Sequence, residues 1–63
     1  MLKEELKINQ LVKLKPKHRT SVCARGGAWE VYRVVKIYRM NCVAINLGTQ
    51  IDHKLRITNL IPA

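Results

Sequence analysis

Trp29-Glu30-Val31-Tyr32-Arg33-Val34-Val35-Lys36-Ile37-Tyr38 is the stretch on which the fold of this chain turns. It is dense in β-branched and aromatic residues, which suit a pleated, half-buried surface, and it predicts a strand over 29–38. Strict alternation breaks at Val34-Val35, where apolar residues fall on both faces. A bulge or sharp bend in a long, coiled strand has this effect. Simple alternation places Arg33 and Lys36 on opposite faces, and a bulge between them would realign them. Tyr32 and Tyr38 share a face by the same parity.

Upstream, Leu11-Val12-Lys13-Leu14-Lys15 reads as an earlier strand with Val12 and Leu14 inward and both lysines outward. Pro16 ends it, because proline has no N–H to give to a ladder. Residues 16–28 read as a long basic loop, with Gly26-Gly27 supplying backbone freedom before the central strand. A loop of about a dozen residues in so small a domain hints at function. Downstream, Arg39-Met40-Asn41 predicts a tight turn. Cys42 to Leu47 follows as an antiparallel strand with Val43, Ile45 and Leu47 on the core face. Gly48-Thr49-Gln50 is the next turn. Ile51 to Ile57 is a strand with Leu55 and Ile57 inward and Lys54 and Arg56 outward. Thr58-Asn59 suggests a corner, and Leu60-Ile61 a short closing strand stopped by Pro62. The segment Leu2 to Ile8 reads as one short helix with Leu2 and Leu6 on one face.

Five short strands laid flat would leave two open edges, and closure into a small barrel removes them. The expected fold is therefore all-β: a five-stranded barrel over 9–63, with an N-terminal extension over 1–8. Apolar residues make up 48% of the chain, too many for a disordered basic tail. Phe is absent, so the core must be mostly Val, Ile and Leu.

Charge narrows the class of partner. After residue 10 there are ten Lys and Arg residues against only Glu30 and Asp52, which accounts for the whole net charge of +8. Such a field attracts polyanions whatever the fold. Cys23 and Cys42 lack zinc-ligand spacing and read as reduced thiols, Cys42 buried in a strand and Cys23 in a loop. The first residues lack the apolar run of a secretory leader, and no stretch is long enough to span a membrane. The expected setting is cytoplasmic, nucleoid-associated, or nuclear in a eukaryote.

The layout resembles the SH3-like barrels: Tudor and chromo-type modules, KOW-type ribosomal domains and, nearest in local wording, the C-terminal DNA-binding domain of integrases. The residues that carry the resemblance are Leu11 to Lys15, Trp29 to Ile37, Val43 to Gly48 and His53 to Leu60. It spans roughly 9–62 and rests on hydrophobic rhythm rather than a signature. The glycine expected in a KOW motif is not in place. The resemblance implies an SH3-like barrel that binds nucleic acid, DNA ahead of RNA, and suits a small accessory protein of a phage or mobile element.

The expected phosphate-binding set is Lys13, Lys15, Lys17, Arg19, Arg25, Arg33, Lys36, Arg39, Lys54 and Arg56, with Trp29, Tyr32 and Tyr38 as candidate stacking platforms. Three aromatics are too few for a methyl-lysine cage beside so many cations. His18 and His53 stand alone, in no metal-ligand pattern. Asp52-His53 reads as a polar turn, and His18 with Cys23 as no nucleophile pair in a chain with little room for a shielded pocket. The expectation is a non-catalytic protein without cofactor or metal, a monomer or small homo-oligomer, with weak sequence selectivity because no recognition helix exists. The alternative is an adaptor or inhibitor that docks on an acidic surface of a host protein.

Overall fold

Val12 and Leu14 are buried while Lys13 between them is not, so the alternation of β1 (Leu11–Leu14) is realised in the computed structural model, which describes residues 1–63. The chain is all-β, as the patterning predicts. β2 (Tyr32–Ile37), β3 (Asn41–Asn46), β4 (Asp52–Arg56) and β5 (Leu60–Pro62) join β1 in one antiparallel sheet of order β4-β3-β2-β1-β5. No helix is long and apolar enough to cross a membrane.

This sheet cannot be flat. Four strand spacings of about 4.8 Å would hold β4 and β5 about 19 Å apart. Only the 3₁₀ turn Ile57–Asn59 connects them, and four residue steps reach about 14 Å at most. The sheet therefore curls and draws its edges together, although no ladder joins β4 to β5. Val12, Tyr32, Val34, Cys42, Ala44 and Leu60 fill the interior, all at 2% exposure or less. Leu6, Cys23 and Ile57 complete the same core.

The irregularity at Val34-Val35 is a bulge. Val34 pairs with Ala44 and Lys36 with Val43, which leaves Val35 extra in the ladder. The strand is shorter than its composition suggests. It starts at Tyr32, and Trp29 and Glu30 lie in the 3₁₀ turn Gly27–Glu30. Gly26 and Gly27 both take positive φ and swing the chain out of extended geometry just before it.

The facing of β3 is the reverse of the sequence expectation. Cys42, Ala44 and Asn46 point inward, and Val43 and Ile45 face out. Cross-strand partners share a face, and Tyr32 opposite Asn46 and Val34 opposite Ala44 are both buried. Hydrophobicity favoured the other parity because Val43, Ile45 and Leu47 are the greasier set. Lys54 and Arg56 do face out, opposite Val43 and Asn41, and Leu55 faces Cys42.

The long connection is not structureless. It contains the 3₁₀ turns Pro16–His18 and Cys23–Arg25, and it buries Cys23 in the core. The N-terminal segment contains a single 3₁₀ turn, Lys3–Glu5. Three residues cannot stack positions four apart, so Leu6 enters the core while Leu2 stays 66% exposed. The Met1 ammonium donates to Leu60 O at 2.9 Å, tying the chain start to β5.

Asn46 is the one fully buried polar side chain. Its Nδ2 donates to Trp29 O at 2.8 Å, and its Oδ1 accepts from Gly48 N at 2.9 Å and Thr49 N at 3.0 Å. One side chain thus clasps the β3–β4 turn to the 27–30 turn and satisfies three backbone groups that the ladder leaves unpaired.

Candidate nucleic-acid interface

The outer face of β2, β3 and β4 is built by register. Lys36, Val43 and Lys54 form one cross-strand row, and Arg33, Ile45 and Asp52 form the next. The bulge at Val35 puts Arg33 and Lys36 on this same face. Lys36 and Lys54 flank Val43 about 10 Å apart, two strand spacings. Arg56 stands opposite Asn41 at the end of β4, and Arg39 lies on the β2–β3 turn. Lys36, Arg39, Lys54 and Arg56 are exposed. Arg33 is half-buried and donates to Asn9 Oδ1 at 3.1 Å.

Charge on this face runs one way. Asp52 sits at the Arg33 end, and no carboxylate pairs with any of these cations. Positive potential therefore rises toward Lys36, Lys54, Arg39 and Arg56. Tyr38 stands there, 43% exposed, with the Lys36 ammonium 5.5 Å from its ring centre. Tyr38 also lines an open recess of about 390 Å³ with Arg39, Met40, Asn41, Val43 and Lys54.

The remaining predicted cations lie elsewhere. Lys13 and Arg19 both pair with Glu30, Lys13 at 3.7 Å. Lys15 is half-buried, and Lys17 is exposed in the turn Pro16–His18. The Arg25 guanidinium lies 5.3 Å from the centre of the Trp29 ring. The ten predicted cations therefore do not form one surface. Five lie on or beside the outer sheet face, and the others surround the long connection.

The aromatics separate as well. Tyr32 is 2% exposed and cannot stack on a base, which corrects that expectation. Tyr32 shares the core face with Val34, and the bulge beyond them turns Tyr38 outward. The Tyr32 ring meets His53 edge-on at 5.5 Å. Burial and the Cys23 hydrogen bond raise the pKa of its hydroxyl. Trp29 is half-buried against Gly48, where any Cβ would run into the indole.

Both cysteines are free and buried. Burial pushes the Cys42 thiol up. Burial also acts to raise Cys23, but hydrogen bonds from Thr20 and Tyr32 and the charge of Arg19 outweigh it, and its pKa is lowered. No three His, Cys, Asp or Glu side chains converge anywhere in the molecule.

Sequence reasoning missed the recess residues Met40, Asn41 and Val43, and the clasp at Asn46. Met40, a large apolar side chain in a predicted turn, was the visible signal. Nothing in the sequence marked Asn46. Comparison with protein-family models, with curated proteins and with solved structures gives no match to this chain.

Proposed function

We propose that this protein is a non-catalytic nucleic-acid-binding module with an SH3-like barrel. The observation that carries this is the row of unpaired cations which the Val35 bulge gathers on the outer face of β2–β4. Lys36, Lys54 and Arg56 hold phosphates there, with Arg33 and Arg39 at the margins. Each neutralised phosphate releases counterions, so binding is electrostatic and strongly salt-dependent. Sequence selectivity is weak, because no element enters a groove to read base edges. DNA stands ahead of RNA on the resemblance to integrase C-terminal domains, as does a role as a phage or mobile-element accessory protein. The sheet order and the 3₁₀ turn before β5 support the barrel type.

The test is titration of short single-stranded and duplex oligonucleotides at several salt concentrations. With about five phosphates contacted on duplex DNA, log K falls with log salt at a slope near −4.5. A flat salt response rejects the proposal.

A second reading, docking on an acidic partner protein, has its own observation. Met1, Leu2, Met40 and Ile57 line a groove of about 230 Å³ whose charged lining residues are Lys3, Arg39 and Arg56. Absence of nucleic-acid binding together with saturable binding of an acidic, leucine-bearing peptide would favour it.

A further inference from the structure

We infer that the recess beside Tyr38 receives an unpaired nucleobase, so that the strand bound on this face is single-stranded. The inference rests on the nucleic-acid reading above and specifies its substrate. Phosphates account for the cations but not for what lies among them. Tyr38 and Met40 are 43% and 60% exposed, and Val43 lies between Lys36 and Lys54 in the outer row. An exposed phenol ring and two apolar side chains gain nothing from a phosphate and much from the face of a base. In a duplex those faces are already stacked, whereas in a single strand they are free.

The recess has the chemistry that a base requires. Its volume, about 390 Å³, falls in the ~300–1,000 Å³ range of small-molecule sites. Tyr38 supplies the stacking surface, and the Lys36 ammonium over its ring steadies it. Met40 and Val43 give apolar walls. The Asn41 amide carries both donor and acceptor for a base edge. Arg39 and Lys54 line the same recess, where they meet the phosphates on either side of the inserted nucleotide. No carboxylate lines it.

The test compares a short thymidine strand, an abasic strand with the same number of phosphates, and a duplex, all at one low salt concentration. The native protein should bind the base-bearing strand about 5- to 150-fold more tightly than the abasic strand, the range of one base–aromatic stack. Tyr38→Ala should remove most of that preference, read as the ratio of the two affinities. Tyr38→Phe, which keeps the ring, should retain it and serves as the folding control. Equal binding of the two strands, or a preference untouched by Tyr38→Ala, overturns the base site and leaves the electrostatic reading standing. Loss of salt-dependent binding to every strand overturns both.

Discussion

Arg33 and Lys36 stand on the same face of β2 although an odd number of positions separates them. Arg33 pairs with Ile45 and Lys36 with Val43, and Val35 is the residue that the ladder skips. A bulge increases local twist and re-aims the side chains beyond it. Here it aligns two cations on one side and sends Tyr38 outward while Tyr32 stays in the core. The same distortion helps the sheet curl and composes its charged face.

Lys36→Gln with Lys54→Gln should reduce the magnitude of the log K against log salt slope by about 1.4 for a single strand, about 0.7 per lost phosphate contact. Lys13→Gln with Arg19→Gln should change it less, because Glu30 already engages both side chains. A larger change in the Lys13/Arg19 variant than in the Lys36/Lys54 variant would place the contact surface on the long connection instead.

Asn46→Ala should cost about 2–3 kcal/mol in chemical denaturation. It strands the Trp29 carbonyl and the Gly48 and Thr49 amides, and an unsatisfied buried group typically costs ~1–3 kcal/mol. Partial rescue by water at the turn keeps the total below the sum. A loss under about 0.5 kcal/mol, the range of ordinary surface substitutions, would show that the clasp is dispensable.

Gly48→Ala should destabilise by about 1–3 kcal/mol, as overpacking of a tight contact does. The added methyl collides with the Trp29 indole, which is a rigid ring and not a flexible chain end. Trp29 is the single tryptophan, so its emission reports the displacement directly. An unshifted spectrum at full stability would contradict the packing described.

The two thiols should pull stability in opposite directions at alkaline pH. The Cys42 pKa is raised in the fold, so its contribution is complete below about pH 8.5, the ordinary cysteine value, and is lost as pH rises beyond it. The Cys23 pKa is lowered, so its contribution is present above that ordinary value and is lost as pH falls through the folded one. Stability measured across this window should fall less steeply in Cys42→Ala and more steeply in Cys23→Ala than in the native protein. Parallel curves for all three would refute both assignments.

Much of the fold was legible because strand signals are local. Val12 and Leu14 alternate with lysines, Pro16 stops β1, and the break at Val34-Val35 marks a bulge in advance. The facing of β3 was not legible. Both parities of Cys42 to Leu47 are apolar enough to be core, and the choice fell to pairing with Tyr32 and Val34. The helical face read into Leu2 and Leu6 failed because a short segment follows its tertiary contacts, here the Leu6 side chain and the Met1 ammonium on Leu60.

The candidate site divides the same way. Composition announces a cationic surface, since ten basic residues oppose two acidic ones after residue 10. It does not announce which cations are free. Glu30 takes Lys13 and Arg19, and Tyr32 is lost to the core.

What the order of residues decided by itself was the all-β class, the strand rhythm and an excess of positive charge. Each depends on neighbours a few positions apart or on a simple sum. Which side chains face out together was decided only when the strands paired. Register couples residues far apart in the chain, and one skipped residue at Val35 reverses the facing of Lys36, Ile37 and Tyr38.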